Sequence, residues 1–153
     1  MERIASFTVN HDKLEKGMYI SRIDGDVVTY DIRMKKPNGG SYLSNGAMHT
    51  FEHLFATFAR NSRFKDSVIY VGPMGCRTGF YLLLRDNVSF CDAIALVKEA
   101  FAFISTFSGV IPGSKREECG NYLEHDLEGA KEVAIDMLSV LSTWSEEKLK
   151  YEE

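Results

Sequence analysis

Proline is scarce, with 3 in 153 residues, and nowhere do proline, glycine and serine gather into a stretch able to separate two domains. Internal repeats and low-complexity tracts are missing too, which leaves no basis for a repeat array. No apolar run approaches the roughly twenty residues a membrane-crossing helix needs. The opening MERIASFTVN alternates polar and apolar positions and has no apolar core of the kind a signal peptide carries, so the expected compartment is the cytoplasm. An excess of one charge is also lacking. Eighteen Lys and Arg face 22 Asp and Glu, a net charge of -4, which provides no electrostatic footprint for nucleic acid or an anionic membrane. The expected partner is a small molecule or another protein. Cysteines number 3, an odd set in a chain long enough to fold without staples. Cys76, Cys91 and Cys119 are therefore read as free or metal-bound thiols in a reducing compartment.

What is present is the balance of a folded protein: 44% hydrophobic and 26% charged residues over 153 positions, the size of one domain. Strand-like patterns run from Ile4 to Val9, Met18 to Ile23 and Val27 to Met34, and VVTYDIRM alternates as a half-buried strand does. Asp24, Gly25 and Asp26 predict a hairpin turn. KKPNGGSYLSNG, from Lys35 to Gly46, predicts a loop. A helix is expected over Ala47 to Asn61, with Phe51, Leu54, Phe55 and Phe58 as its buried stripe and His49 and His53 on another face. Ser67 to Val71 and Thr78 to Arg85 read as strands around a GPMG turn. Ser89 caps an expected helix from Phe90 to Phe107, lined by Phe90, Ile94, Val97, Phe101 and Ile104. Ser108 to Gly120 is an exposed connection, and a last helix is expected from about Leu127 to Leu149. The fold class is α+β: a single domain with a mostly antiparallel sheet packed against helices.

The chemistry centres on HTFEH. His49 and His53 stand one helical turn apart and can direct ring nitrogens at one ion. Glu52 lies about 60 degrees from His49 around the helix, placed to move protons beside that ion. The alternative is two surface histidines on a solvated face. Two imidazoles leave a tetrahedral ion short of donors, and Cys119, in ECGNY before the last helix, is the best candidate for the third; alone it would read as a free loop thiol. Two nitrogens and a thiolate suit zinc or ferrous iron and leave a coordination position open. Cys76, in PMGCRTG, follows a glycine turn beside Arg77. It reads either as an acid or base or as a buried strand cysteine. Cys91 reads as a packing residue on its helix, and His125 and His11 as surface or hydrogen-bonded histidines.

HTFEH, PMGCRTGFYL and ECGNYLEHDLEGAK follow in that order in a chain that opens SFTVNH and continues through DIRMKKPN. Over about Ser6 to Ala130 this resembles the S-ribosylhomocysteine lyase (LuxS) family. The resemblance implies a homodimer with two metal sites at the subunit interface. It also implies cleavage of S-ribosylhomocysteine to homocysteine and dihydroxypentanedione, the autoinducer-2 precursor, within the activated methyl cycle. By that resemblance His49, His53 and Cys119 are metal ligands, Glu52 and Cys76 the acid and base, and Ser6, His11 and Arg33 substrate-binding residues, some reaching in from the neighbouring subunit. Fe(II) is the implied physiological ion, with Zn(II) or Co(II) able to substitute. One departure stands out: where many members carry aspartate six residues before the catalytic cysteine, this chain has Tyr70. Two rival readings remain, an inverzincin-type metallopeptidase, whose signature shares the histidine and glutamate order, and a non-catalytic domain stapled by an ion, for which His125 is the obvious fourth donor.

Overall fold

Alternation in GMYISRID and VVTYDIR builds two strands, β1 (Gly17–Asp24) and β2 (Val27–Arg33), in the computed structural model, which describes residues 1–152. They join through the expected hairpin, where Gly25 takes a positive φ of 59° that a residue with a Cβ resists. A second hairpin pairs β3 (Val68–Pro73) with β4 (Gly79–Arg85), and β4 pairs in turn with β2, so the sheet runs β1-β2-β4-β3 and is antiparallel throughout. Alternate residues divide between its faces. Val28, Tyr30 and Ile32 of β2 and Phe80, Leu82 and Leu84 of β4 are buried in the core. Thr29, Tyr81, Leu83 and Tyr70 line a cavity on the other face, with Tyr70 53% exposed.

Three helices close the core: α1 (Asn45–Asn61), α2 (Phe90–Ser105) and α3 (Leu127–Leu141). Ser44 and Ser89 cap the first two by accepting the backbone N–H groups of Ala47 and Asp92. Phe51 of α1 meets Phe80 of β4 and Phe101 of α2 with ring centroids 5.2 and 5.0 Å apart. Each such buried ring contributes about 1.5–3 kcal/mol, which makes α1 a rigid platform.

Four expectations fail, the first three for identifiable reasons. Residues 4–9 form no strand: Ala5–Phe7 is a 3-10 turn, the Thr8 hydroxyl donates to the Ala5 carbonyl at 2.7 Å, and Ile4 and Phe7 stay exposed, so nothing rewards an extended pairing. The last helix stops at Leu141 and not near Leu149. There the Trp144 indole donates to the Met18 carbonyl at 2.8 Å and draws the chain across β1, before a 3-10 turn at Glu146–Leu149 buries Leu149. Cys91 does not pack: it is exposed and its thiol donates to Glu146 Oε1 at 2.9 Å. Phe90 is exposed as well.

Candidate active site

The helical period brings His49 and His53 to one face of α1, with their rings nearly perpendicular and centroids 4.6 Å apart. Each Nδ1 lies against a carbonyl, His49 against Glu124 O at 2.7 Å and His53 against Pro112 O at 2.8 Å. A carbonyl only accepts, so each Nδ1 carries the proton and each Nε2 keeps a lone pair for an ion. Both carbonyls belong to the connection between α2 and α3, which also carries Cys119. Its sulfur comes within 3.3 Å of His49 Nε2. Donor atoms of His49, His53, Cys119 and His125 lie within 4.8 Å of one another. Gly113 permits the approach: its φ is +69°, and a Cβ there would stand 3.2 Å from His53 Nδ1. Two imidazoles with fixed tautomers and one thiol form a donor set that can hold a divalent ion.

His125, expected as an ordinary surface or hydrogen-bonded histidine, joins this cluster. Its Nδ1 lies 2.9 Å from Thr50 Oγ1, which also accepts the Asp126 N–H, while its Nε2 is buried with no hydrogen-bond partner among the described residues. Its ring stacks on His49 at 4.0 Å and 18°. An imidazole binds an ion lying in its own ring plane, so two nearly parallel planes at that separation cannot share one. The perpendicular rings of His49 and His53 can. Proximity alone therefore makes His125 a neighbour of the donor set and not a fourth ligand beside His49. Burial, and then the nearby His49 and His53, lower its pKa from the ordinary histidine value.

Glu52 lines a cavity of about 250 Å³ with His49, Asn45, Met48, Pro73, Asn121 and Glu124. A second cavity, of about 320 Å³, gathers Cys76, Ser6, His11, Arg33 and Thr78. The two share no lining residue, although Pro73 borders the first and Met74 the second, so they flank the β3–β4 turn. Cys76 is exposed on that turn, which rules out the buried-strand reading. Arg77 beside it adopts φ 60°, a conformation costing about 1–2 kcal/mol outside glycine. Leu43 holds it there, donating its N–H to the Arg77 carbonyl and accepting from the Arg77 side chain.

Behind Cys76 lies Arg33, expected as a substrate-binding residue, together with Asp31, Thr78 and Tyr151, which no sequence motif singled out. Asp31 and Arg33, 2% and 3% exposed, form a two-pronged ion pair with bonds of 3.1 and 2.7 Å. Burial works against the Arg33 charge, but the bond and charge of Asp31 outweigh it and raise the guanidinium pKa. Alternation on β2 already puts both on one strand face, which was the available signal. Thr78 stands two residues after Cys76. Nothing in the sequence points to Tyr151, whose hydroxyl donates to Asp31 at 2.7 Å.

A groove of about 560 Å³ between α2 and the 144–147 segment is lined by Cys91, Ile94 and Trp144 and contains none of these groups. Tyr70, in the place of the expected aspartate, borders the sheet-face cavity that also contains Ser6. Among the described residues no helix is long and apolar enough to cross a membrane.

Against this geometry, the comparisons with known proteins agree. A family model described as S-Ribosylhomocysteinase (LuxS) matches residues 4–148. A protein of Clostridium acetobutylicum named S-ribosylhomocysteine lyase is 46% identical over 158 residues, covering 100% of both chains. Proteins of the same name from Desulfotalea psychrophila and Borreliella afzelii are each 46% identical over 99% of both chains. Histidines, glutamate and both site cysteines thus sit within a match that spans nearly the whole sequence, and the chain belongs to the S-ribosylhomocysteinase (LuxS) family.

Proposed function

We propose that the protein is an S-ribosylhomocysteine lyase, a carbon–sulfur lyase that releases homocysteine and dihydroxypentanedione, the autoinducer-2 precursor. The observation that carries this reading is the convergence of His49 Nε2, His53 and Cys119 beside the cavity that contains Glu52. His49, His53 and Cys119 are the ligands, and Fe(II) is the physiological ion, with Zn(II) or Co(II) as substitutes. When bound, such an ion supplies a Lewis acid next to the sugar oxygens.

The substrate's sulfur sits on the last ribose carbon, so it can leave only after the carbonyl has moved to the position where that sulfur is β to it. Each shift removes a proton from one carbon and returns one to its neighbour. Cys76 takes and returns the carbon-bound protons, and Glu52 exchanges protons with the sugar oxygens from the opposite side. Arg33, His11 and Ser6, which share the Cys76 cavity, hold the polar sugar and amino-acid ends. In the last step a base removes the proton on the carbon between carbonyl and C–S bond, and homocysteine leaves as a thiolate with the C–S bonding electrons and then takes up a proton.

Separate cavities for Glu52 and Cys76 support a homodimer in which one subunit supplies the metal half and its partner the thiol half. The open sheet face with Tyr70, Tyr81 and Leu83, and exposed Phe7 beside Ser6, supplies apolar surface for that contact. A peptidase would take a downstream carboxylate as third ligand; the donor group here has sulfur instead. A stapled, non-catalytic site needs His125 as a fourth ligand, and its ring stack on His49 opposes this. We place the protein in the cytoplasm as one lyase domain over residues 1–153. The test is incubation of metal-loaded protein with S-ribosylhomocysteine and measurement of free thiol. Thiol release is expected, and full metal occupancy without release refutes the reading.

A further inference from the structure

A continuous set of polar contacts links position 151 to Cys76, and the proton transfers above use only its last member. The Tyr151 ring stacks on Tyr19 at 5.1 Å, and its hydroxyl donates to Asp31 Oδ2 at 2.7 Å. Burial first, then the Asp31 charge, push that phenol well above its ordinary pKa, which keeps it a donor. Asp31 also accepts Arg33 Nε at 3.1 Å and Nη2 at 2.7 Å. Three donors on two carboxylate oxygens leave the guanidinium fork a single orientation. Its remaining Nη1 donates to Thr78 Oγ1 at 2.7 Å, and that oxygen lies 3.0 Å from Cys76 Sγ. Asp31, Arg33 and Thr78 are at most 3% exposed, whereas Cys76 is open to the cavity.

Proton bookkeeping at Thr78 gives the contact its direction. A hydroxyl oxygen that already receives the cationic Arg33 N–H has its own hydrogen free to point elsewhere, and sulfur is its nearest partner. We propose that Thr78, Asp31 and Tyr151 are positioning residues for Cys76: Tyr151 and Asp31 lock Arg33, Arg33 orients Thr78, and the Thr78 hydroxyl donates to the Cys76 sulfur. Asp31 and Tyr151 line neither cavity of the site, and Thr78 borders the Cys76 cavity with its hydroxyl beside the sulfur. The functional meaning rests on the reading of Cys76 as the group that carries protons, but the contact itself does not.

The test is therefore independent of turnover. Zinc-loaded full-length protein is alkylated with iodoacetamide at pH 7, and modification of Cys76 is followed by peptide mass spectrometry, which separates it from exposed Cys91. Thr78→Val keeps the shape and removes the hydroxyl; it is expected to slow Cys76 alkylation about threefold to tenfold, the worth of one net hydrogen bond to a sulfur acceptor. Thr78→Ser restores the donor and the rate. Tyr151→Phe keeps the stack on Tyr19 and slows alkylation about twofold through the loosened Asp31. With S-ribosylhomocysteine, Thr78→Val lowers kcat and Thr78→Ser restores it, while Tyr151→Phe, which also loosens the substrate-holding Arg33, lowers kcat and raises KM together. A wild-type alkylation rate in either Thr78→Val or Tyr151→Phe overturns the proposal. Full thiol release by Cys76→Ala would instead remove the proton-carrying role and leave the alkylation result intact.

Discussion

A mixed dimer tests the division of the site between two cavities. A Cys76→Ala chain keeps His49, His53, Cys119 and Glu52, and a Cys119→Ala chain keeps Cys76, Ser6, His11 and Arg33, because the two cavities have no lining residue in common. Suppose each working site takes its metal half from one subunit and its thiol half from the other. A dimer with one chain of each kind then has one site with both halves intact and one with both damaged. Such a dimer is expected to show about half the wild-type rate, and a random equimolar mixture about one quarter, since about half its dimers are mixed. Each homodimeric parent is expected to be inactive. Co-expression with two different affinity tags isolates the mixed species, free-thiol release measures the rate, and metal analysis expects about one ion per mixed dimer. As a control, His49→Ala paired with Cys119→Ala damages the metal half in both chains and stays inactive. A mixed Cys76→Ala and Cys119→Ala dimer that holds its ion and stays as inactive as its parents refutes the division, because sites built within one chain give mixed dimers no intact copy.

Removal of the ion by dialysis against a chelator is expected to abolish thiol release, and Co(II) to restore it; activity that survives complete removal of metal refutes a metal-dependent site. Gly113→Ala forces a side chain into φ +69° beside His53 Nδ1, at a cost of about 1–2 kcal/mol. It is expected to lower Tm by several degrees and speed zinc loss to a chelator, and unchanged zinc retention would show that the loop does not position His53. Alkaline pH offers a separate check, because burial first, and nearby carboxylate charges next, raise Tyr19 and Tyr30 to about 12 and Tyr151 further. A phenol whose folded pKa exceeds its unfolded value near 10 favours the folded state fully below that pH and loses its contribution as pH rises through the folded value. Urea midpoints are expected to fall between pH 10 and 12, and less steeply in Tyr151→Phe; equal slopes would remove Tyr151 from the account.

The cluster of His49, His53 and Cys119 was legible because the placement of its histidines follows local periodicity. A four-residue spacing on a helix brings His49 and His53 together wherever that helix packs, and a shortage of donors pointed to Cys119. Ring orientation is a different matter. Whether His125 completes or merely adjoins the donor set depends on an 18° stack, fixed by Thr50 reaching across to the start of α3, and no spacing rule encodes that. The Cys76 turn was legible from its glycines, but the polar groups behind it were not. Asp31 and Arg33 alternate on β2 like an ordinary solvent-facing pair. Tyr151 bonds to Asp31 from above, and it arrives there because α3 ends at Leu141 and Trp144 ties the chain to Met18. Helical periodicity through Leu149 gave no sign of that turn. Residues 4–9 show the converse: alternation suggests a strand, yet no neighbouring edge pairs with them.

Precision on the metal side comes from sharing hydrogen bonds between a rigid element and an irregular one. Helix α1 is held by the Phe51, Phe55, Phe80 and Phe101 cluster, so its imidazoles have fixed origins. The connection that delivers Cys119 lacks regular structure from residue 106 to 126, and by itself would lose considerable entropy on ordering. Its two flanks are tied to α1 by the donors' own second nitrogens, Pro112 O to His53 and Glu124 O to His49, and by Asp126 N to Thr50 and Gly46. One set of bonds thus does two jobs: it sets the tautomer that frees each Nε2, and it brings the loop thiol within reach of them. The thiol half follows the same logic with different parts, since Leu43 and Arg77 clamp the exposed turn while buried Asp31 and Arg33 brace it from below. On both sides a site sulfur sits on a loop, and a neighbouring strand or helix determines where it points.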